Sequence, residues 1–455
     1  MRLAGEKVLV VGLGASGAAA ARLCLEAGAR VRVTDAAPHP PAAEELAALG
    51  CDLSLGGHRA EDFTWAGLVV LSPGVDQRMA EVRAAAAAGA EVIGELELGW
   101  RFLRRPAVMI TGTNGKSTVT TLVGRMLQEA GLRAFVGSNL GQPLCAVAGG
   151  GQDFDWAVLE VSSFQLDTAV SLSPAVAVVL NIAPDHLDRY HDFAAYADSK
   201  MSLPAGQDPA GTAVLCWDDP EITARAAGLP GRVLPYSDQW ESPSEAPGPL
   251  AGLVLGRELV LYQDGRPVLE LSTEASKLPG AFNRGNVLAA GLAAWAVGVD
   301  QESMQRAIDG FTGLGHRLQW VANIGGVDYF DDSKGTNLGA VMAAVRALER
   351  PTVVLLGGRD KQGRFDQLLD LPRDLLARAI CFGEAGPAIA GQLAPLGPRV
   401  ALVPDLAEAV RLAAAQARPG QAVLLSPGCA SFDAYGSYAE RGDHFQTLVK
   451  EAARG

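Results

Sequence analysis

The strongest candidates for a chemical role are the residues of a glycine-rich segment of the 455-residue chain, Gly112-Thr-Asn-Gly-Lys-Ser-Thr118. A short apolar run at 107–110 precedes this segment, and a pattern typical of an amphipathic helix follows it. A loop between a strand and a helix N-terminus collects backbone N–H groups and the positive end of the helix dipole, and Lys116 adds a full positive charge. We therefore predict a nucleoside triphosphate site in which Ser117 places its hydroxyl group on Mg²⁺.

This loop is shorter than the usual phosphate-binding loop. Gly112 and Gly115 enclose two residues, where the usual pattern has about four. A strand-to-helix turn that binds nothing is therefore the alternative. We favour triphosphate binding, because packing does not readily explain a lysine that opens a helix directly after a glycine.

A second glycine-rich motif, Gly12-Leu-Gly-Ala-Ser-Gly17, follows an apolar run at 7–11 and precedes an alanine-rich helical segment. The next strand pattern ends in Asp35, about 20 positions further on, where a dinucleotide-binding fold places an acidic residue on a ribose hydroxyl. Another apolar run ends in Ser72-Pro-Gly74. These patterns predict a Rossmann-like domain for a nucleotide; NAD is one candidate, but any nucleotide diphosphate suits such a helix N-terminus.

Polar residues also follow two apolar runs after the phosphate loop. Glu160 ends the run at 155–159, and a carboxylate at that position is a natural Mg²⁺ ligand, with a surface glutamate as the alternative. His186 lies between two aspartates after the run at 175–180, where it could contact metal or substrate or be an ordinary loop histidine. Lys200 lies on the following helical segment, and its local sequence alone would make it a solvated lysine.

Alternating strand and helix patterns continue to the end of the chain, which is typical of the α/β class. The length suggests about three domains, which we place at 1–96, 97–313 and 314–455, with hinges near 96 and 313. We predict a Rossmann-like N-terminal domain, a central P-loop ATPase-type parallel-sheet domain and a C-terminal Rossmann-like α/β domain. Hairpins are expected at 259–271 and 320–330.

Composition narrows the class of protein. Hydrophobic residues make up 49% and charged residues 20%, which is typical of a globular protein. A net charge of −13 argues against a nucleic-acid or anionic-membrane partner. Six scattered cysteines and the absence of a signal-like or membrane-spanning apolar run lead us to expect a cytoplasmic protein with reduced thiols.

Longer motifs carry a resemblance over nearly the whole chain. They are Glu160–Leu166 (EVSSFQL), 184–190 (PDHLDRY) with Lys200 downstream, 331–337 (DDSKGTN) and 426–433 (SPGCASFD). Together with the two glycine motifs, they resemble the Mur ligase family, and most closely its D-glutamate-adding members. The resemblance implies a monomeric, ATP-dependent enzyme of cytoplasmic peptidoglycan precursor synthesis, which joins D-glutamate to UDP-N-acetylmuramoyl-L-alanine through an acyl phosphate.

The resemblance also implies roles for individual residues. Contacts with the UDP-linked substrate would come from Gly14, Ala15, Ser16, Asp35, Ser72, Gly74 and Asn139. ATP would be bound by Gly112, Thr113, Asn114, Gly115, Lys116, Ser117, Thr118, Asn283, Asn286, Arg317 and Asp332. The residues around D-glutamate would be Lys334, Thr336, Lys361, Ser431 and Tyr438.

Two Mg²⁺ sites follow from the same resemblance. Ser117 and Glu160 would hold the first ion, and His186 and Lys200, as a carbamate, would hold the second. Lys116, His186 and Lys200 would be the catalytic residues.

Some positions depart from the family pattern, and other functions stay open. Phe282 replaces a histidine, Gln319 a glutamate and Tyr438 a phenylalanine, and the first two bear on the adenine contacts. The phosphate-loop motif is shared with folylpolyglutamate synthases, so a ligase for another amino acid or for folate is the nearest alternative. An NAD-dependent oxidoreductase and a nucleotide-gated binding module without catalysis are alternatives of a different class.

Overall fold

The computed structural model of the chain describes residues 3–185, 189–276, 278, 280, 282–359 and 363–453. Their strands form three β-sheets, and the chain divides into two compact units. The first unit comprises Met1–Glu274 with Gly285–Asp309 and contains two sheets, and the second comprises Ala275–Arg284 with Gly310–Gly455 and contains the third. The predicted α/β class is confirmed, whereas the domain bounds at 96/97 and 313/314 stay predictions.

The first sheet has five parallel strands in the order β3-β2-β1-β4-β5. Val8 and Val10 of the central strand pack into one hydrophobic cluster with α1, whereas Leu9 and Val11 pack into another with α3 and α4. Both faces are therefore covered, which explains why this strand reads as a continuous apolar run. The elements are β1 (Lys7–Val11), α1 (Ala15–Glu26), β2 (Arg30–Asp35), α2 (Ala43–Ala48), β3 (Asp52–Leu55), α3 (Ala60–Trp65), β4 (Leu68–Leu71), α4 (Ala80–Ala87) and β5 (Glu91–Gly94).

The second sheet has nine strands in the order β14-β13-β12-β11-β10-β9-β6-β8-β7. The strands from β7 to β12 pair in parallel, and β12, β13 and β14 pair antiparallel, which confirms the hairpin predicted at 259–271. Its elements, after α5 (Glu95–Phe102), are β6 (Ala107–Thr111), α6 (Lys116–Glu129), β7 (Ala134–Ser138), α7 (Cys145–Ala148), β8 (Trp156–Glu160), α8 (Ser163–Leu166), β9 (Val176–Val179), α9 (Phe193–Ala205), β10 (Thr212–Cys216), α10 (Pro220–Arg225), β11 (Arg232–Ser237), β12 (Leu250–Leu255), β13 (Glu258–Gln263), β14 (Arg266–Ser272), α11 (Phe282–Ala296) and α12 (Gln301–Gly310).

The third sheet lies in the second unit and has the order β15-β16-β20-β17-β18-β19. β15 and β16 form the hairpin predicted at 320–330, and the other neighbouring strands are parallel. The elements are β15 (Gln319–Ile324), β16 (Val327–Asp331), α13 (Leu338–Ala347), β17 (Thr352–Gly357), β18 (Leu376–Phe382), α14 (Gly386–Gln392), β19 (Val400–Leu402), α15 (Leu406–Gln416), β20 (Ala422–Leu425) and α16 (Tyr438–Ala452).

Two further expectations concern the whole chain. All six cysteines lie among the described residues and none of them forms a disulfide, as predicted. The described helices include none with both the length and the apolar character needed to cross a membrane.

A buried carboxylate anchors helix α5 to the segment that precedes β9. Glu97 accepts hydrogen bonds from the backbone N–H groups of Val170 (3.0 Å) and Ser171 (3.1 Å), from Ser171 Oγ (2.6 Å) and from Arg101 Nε (2.8 Å). Burial opposes ionisation, but these donors together hold the pKa of Glu97 below its usual value. This anchoring fixes α5 within the predicted domain 97–313, and the hinge near residue 96 stays a prediction.

We expect Glu97→Ala to destabilise the first unit by about 3 kcal/mol, because buried donors lose their acceptor. Glu91→Ala is the matched control, since Glu91 pairs with the same Arg101 from a side chain that is 50% exposed; its loss should cost less than about 1 kcal/mol. Urea and thermal unfolding followed by tryptophan fluorescence would measure both variants. Equal losses would contradict the anchoring role of Glu97.

Candidate functional site

The predicted phosphate loop connects β6 to α6, and its backbone conformation requires glycine. Gly115 has a φ of +86°, in the left-handed region, and a Cβ atom there would lie 2.5 Å from Asn286 Oδ1. Asn181, which follows β9, braces the loop from the other side. Its carbonyl oxygen accepts from the N–H of Thr113 (2.8 Å), and its Oδ1 accepts from the N–H of Asn114 (2.8 Å). The loop therefore has a fixed shape ahead of the helix N-terminus.

Two lysines meet at one carbonyl oxygen of this loop. Lys116 Nζ donates to the carbonyl oxygens of Gly112 and Thr113, and Lys200 Nζ donates to the same oxygen of Gly112, all at 2.9 Å. Lys200 is 2% exposed, which corrects the solvated side chain that its local sequence suggested. Its burial, followed by repulsion from Lys116, lowers the pKa of Lys200 well below the usual value.

A carboxylate and a hydroxyl group lie in contact beside the loop. Ser117 Oγ donates to Glu160 Oε2, and both residues are buried. Asn139 Nδ2 donates to Glu160 Oε1 (2.6 Å), and the N–H of Asn139 donates to the carbonyl oxygen of Glu160 (3.0 Å). Because β6 pairs with β8, Glu160 ends its strand next to the start of the phosphate loop. Glu160 is thus a buried, oriented carboxylate rather than a surface glutamate.

Hydrogen bonds to Asp35 and Ser72 fix the glycine loop of the first sheet. Asp35 Oδ2 accepts from the N–H of Leu13 (2.5 Å), and its Oδ1 accepts from the N–H of Ala37 (2.7 Å). Ser72 Oγ donates to the carbonyl oxygen of Gly12 (2.8 Å). Asp35 therefore holds two backbone segments in place, in addition to the ribose contact that the sequence predicts.

The predicted UDP-substrate residues of the first sheet gather at its carboxyl edge. Gly14 and Ala15, at the start of α1, are exposed, and Ser16 is half-buried. Gly74 is exposed in the loop after β4, next to the half-buried Ser72. An accessible helix N-terminus beside a turn is suited to a diphosphate group.

Within the first unit, the loop after β4 contacts segments that carry the predicted metal and substrate residues of the second sheet. The guanidinium group of Arg189 lies 4.1 Å from the ring centroid of Phe164, and its Nη2 lies 3.5 Å from the carbonyl oxygen of Val75. Arg78 Nη1 donates to the carbonyl oxygen of Arg189 (3.3 Å). The loops at the carboxyl edges of the two sheets therefore contact each other.

Asp332, a predicted site residue of the second unit, has a carboxyl group with a strongly raised pKa. Its Oδ2 accepts from Ser426 Oγ (2.7 Å) and its Oδ1 from the N–H of Leu318 (3.1 Å). Burial nevertheless raises its pKa to about 7. A ligand that donates a hydrogen bond or brings positive charge would therefore favour its ionised form.

The predicted D-glutamate residues that are described lie near one another at the carboxyl edge of the third sheet. Lys334 Nζ lies 5.0 Å from the ring centroid of Tyr438, and His316 makes an edge contact with the same ring. Ser431 is buried in the segment after β20, and Thr336 is half-buried in the segment after β16. Together, these residues provide an ammonium group, hydroxyl groups and an aromatic ring.

The other predicted site residues are distributed as follows. Asn286 lies in the first unit next to the phosphate loop, whereas Asn283 and Arg317 belong to the second unit. His186 and Lys361 lie outside the described residues, so their roles stay predictions. In the described ranges, no group of three or more histidine, cysteine, aspartate or glutamate side chains is arranged to hold a metal ion.

Sequence reasoning missed several residues that shape the site. Asn181 braces the phosphate loop, and Tyr196 contacts both Thr113 Oγ1 (3.0 Å) and, through its ring, Lys200 Nζ (4.7 Å). Arg189 lies between the two sheets. Asn181 was open to prediction, because it directly follows an apolar strand, but the contacts of Tyr196 and Arg189 depend on distant segments.

The fold and the loop geometry define a nucleotide-binding α/β protein with three sheets. Three family models match it: a Mur ligase MurD-like N-terminal domain at 6–94, a Mur ligase middle domain at 110–294 and a Mur ligase glutamate ligase domain at 316–429. The chain belongs to the Mur ligase family. These models describe ligases, so the NAD-dependent oxidoreductase alternative has no support.

Full-length relatives agree with this assignment. UDP-N-acetylmuramoylalanine–D-glutamate ligase of Desulfosudis oleivorans is 43% identical, with 99% of this chain and 97% of the relative covered. The enzyme of the same name from Anaeromyxobacter dehalogenans is also 43% identical, with 99% of each chain covered.

Solved structures share the fold. A UDP-N-acetylmuramate-alanine ligase of Thermotoga maritima has a TM-score of 0.62 at 18% identity, over 98% of this chain and 99% of its own. A pseudomurein peptide ligase type C of Methanothermus fervidus has a TM-score of 0.61 at 18% identity, over 98% of this chain and 100% of its own.

Proposed function

We propose that this chain is an ATP-dependent ligase that adds D-glutamate to UDP-N-acetylmuramoyl-L-alanine in peptidoglycan precursor synthesis. The observation that carries the proposal is the phosphate loop, in which Lys116 lies beside the buried pair of Ser117 and Glu160. Relatives that align over almost the full length and are named for D-glutamate addition support the choice of amino acid. A cytoplasmic location and a monomeric state are further predictions.

The reaction needs positive charge because negative oxygens must approach one another. The carboxylate of the UDP-linked substrate attacks the γ-phosphorus of ATP, and the bond to the ADP oxygen breaks as an acyl phosphate forms. The amino group of D-glutamate then attacks the acyl carbon, phosphate leaves, and the nitrogen loses a proton as the amide forms. Groups that stabilise the developing charge account for most of the catalysis of phosphoryl transfer.

Lys116 is the residue that we expect to meet the β- and γ-phosphate oxygens. Its ammonium group is already held at the phosphate loop by two carbonyl oxygens. Exchanging these neutral acceptors for phosphate oxygens requires only a local movement of a flexible side chain. The N-terminus of α6 adds backbone N–H groups that have no acceptor within the helix.

The residues beside the loop suit a first Mg²⁺ ion. Ser117 and Glu160 offer a hydroxyl and a carboxylate oxygen that are already in contact, and Mg²⁺ prefers such oxygen ligands. When bound, the ion would neutralise phosphate oxygens and help to align the attacking and leaving groups. Asn139 would keep the Glu160 carboxylate oriented, because it donates to Oε1.

For a second Mg²⁺ ion we propose His186 and Lys200, the latter as a carbamate. CO₂ adds to a neutral amine, which loses a proton and becomes a carboxylate-like group. The lowered pKa of Lys200 increases the share of the neutral, reactive amine at a given pH, and this share increases further as pH rises through the lowered value. Conversion to the carbamate would also replace the repulsion between Lys200 and Lys116 by attraction.

We propose that the remaining predicted site residues contact the substrates. The UDP-linked substrate would be bound by Gly14, Ala15, Ser16, Asp35, Ser72, Gly74 and Asn139, the nucleoside part of ATP by Asn283, Asn286, Arg317 and Asp332, and D-glutamate by Lys334, Thr336, Lys361, Ser431 and Tyr438. The ammonium and hydroxyl groups of the last set suit the two carboxylates of D-glutamate.

The proposal predicts phosphate release that requires ATP, Mg²⁺, UDP-N-acetylmuramoyl-L-alanine and D-glutamate together. The measurement is a continuous phosphate assay with D-glutamate, L-glutamate, L-lysine and meso-diaminopimelate as alternative acceptors. D-glutamate should give the highest kcat/KM. A higher value for another amino acid would identify a different ligase, and turnover with a folate and L-glutamate would identify a folate-extending enzyme.

Lys116→Ala should lower kcat at least about 10²-fold, which is typical of the loss of one charge-stabilising group. Lys450→Ala, at an exposed lysine of α16, is the control and should be unchanged. The same phosphate assay measures both variants, with circular dichroism to verify folding. A folded Lys116→Ala variant with near-normal turnover would refute the proposed role of the phosphate loop.

Lys200 should carry a carbamate in the active, Mg²⁺-loaded enzyme. After incubation with ¹³C-labelled CO₂, a ¹³C carbonyl resonance should be present in the wild-type protein and missing from Lys200→Ala. Short carboxylic acids should partly restore the activity of Lys200→Ala, since they replace the carbamate chemically. An active wild-type sample without this resonance would refute the carbamate at Lys200.

A further inference from the structure

Arg441 is a fully buried arginine in the second unit for which the proposed chemistry gives no role. It lies one turn into α16, and its relative exposure is 0%. Charged residues flank it in the sequence Ala-Glu-Arg-Gly-Asp at 439–443. A buried guanidinium group needs a specific reason, because removing a cation from water costs several kcal/mol.

The hydrogen bonds that are described for the side chain of Arg441 go to three chain segments. Its Nε donates to Ser333 Oγ (3.0 Å), and its Nη2 donates to the carbonyl oxygen of Ser333 (2.8 Å). Nη1 and Nη2 both lie 3.2 Å from the carbonyl oxygen of Cys429, and Nη1 lies 3.4 Å from that of Gly357. Ser333 Oγ in turn donates to the carbonyl oxygen of Tyr438 (2.7 Å).

These segments follow three neighbouring strands. Ser333 follows β16, Gly357 ends β17 and Cys429 follows β20, and the sheet order is β16-β20-β17. Each segment continues into residues that we propose for D-glutamate: Lys334 and Thr336, Lys361, and Ser431. The planar guanidinium group of Arg441 therefore contacts the segments that follow three neighbouring strands.

The local backbone is shaped around this guanidinium group. A Cβ atom at Gly358 would lie 2.9 Å from Arg441 Nη1 and 2.2 Å from the carbonyl oxygen of Ala430. The acceptors are mainly neutral carbonyl oxygens, and burial lowers the pKa of Arg441 to about 10, so the group stays protonated at neutral pH. A buried cation is weak evidence for a role in stability, whereas its planar set of donors fixes the directions of several acceptors, which points to a role in geometry.

We propose that Arg441 is a positioning residue for the amino-acid acceptor, holding the segments after β16, β17 and β20 at the separation that D-glutamate requires. This inference rests on the proposed function. Arg441 acts through Ser333, Gly357 and Cys429, whereas Lys116 and the phosphate loop act on ATP in the first unit. Asp332, which we propose for the nucleoside part of ATP, precedes Ser333 but is held separately, by Ser426 Oγ and the N–H of Leu318. Loss of Arg441 should therefore affect the amino acid more than the nucleotide.

The test is Arg441→Lys, which keeps the positive charge but loses the planar set of donors. We expect the KM for D-glutamate to rise about 10- to 100-fold, as when a contact is misplaced by about 1 Å, with the KM for ATP changed less than about threefold. Arg411→Lys is the matched control, since Arg411 lies in the same unit with a 70% exposed side chain. It should leave all constants unchanged.

Three outcomes are informative. A D-glutamate KM within about twofold of the wild-type value would overturn the proposal, and so would an equal rise in all three substrate constants, since that result indicates only a loosened fold. If Arg441→Lys does not fold by circular dichroism, Ser333→Ala decides, because it removes one acceptor and keeps the arginine. A selective rise in the D-glutamate KM of Ser333→Ala supports the proposal, and an unchanged value refutes it.

The failure of this inference differs from the failure of the proposed function. If the wild-type protein does not release phosphate with D-glutamate, the function itself is wrong. If the wild-type protein is active and both variants keep its D-glutamate KM, only the role of Arg441 is wrong.

Discussion

One carbonyl oxygen accepts from two lysine side chains in this structure, and much of the site follows from that arrangement. The carbonyl oxygen of Gly112 accepts from Lys116, on the helix that follows the phosphate loop, and from Lys200, on α9. Two ammonium groups on one neutral acceptor repel each other, and burial of Lys200 prevents water from screening that repulsion. Loss of the proton from Lys200, or the arrival of further negative charge, would relieve this repulsion. Both conditions fit a site that gathers phosphates.

Three carboxylates lie at or just after the ends of strands, and their different surroundings give them different roles. Asp35 accepts from backbone N–H groups and fixes a loop. Glu160 contacts a hydroxyl and an amide group, and it offers oxygen to a cation. Asp332 is buried deeply enough that its pKa is raised to about 7. The same position at the end of a strand thus supports different roles, because burial and the local donors decide the charge state.

Sequence patterns predicted the parts of the fold that depend on local order. The apolar run before Gly112 became β6, and the hairpins at 259–271 and 320–330 are present. Contacts between distant segments were not predictable. Lys200 was expected to be solvated, but it is buried against Gly112 of the phosphate loop, and Arg441 is likewise buried against segments far along the chain. Motif residues could be named, but their supporting residues could not.

Buried polar groups fix the position and orientation of loops in this structure more strictly than apolar packing does. Glu97 collects backbone N–H groups from one segment, whereas Arg441 collects carbonyl oxygens from three. Asn181 offers a carbonyl and an amide oxygen to successive N–H groups of the phosphate loop. Hydrophobic contacts tolerate sliding, but a hydrogen bond weakens steeply when its angle or distance changes. Loops that must present charge to a substrate are therefore held by charged or amide side chains, whose hydrogen bonds fix both distance and direction.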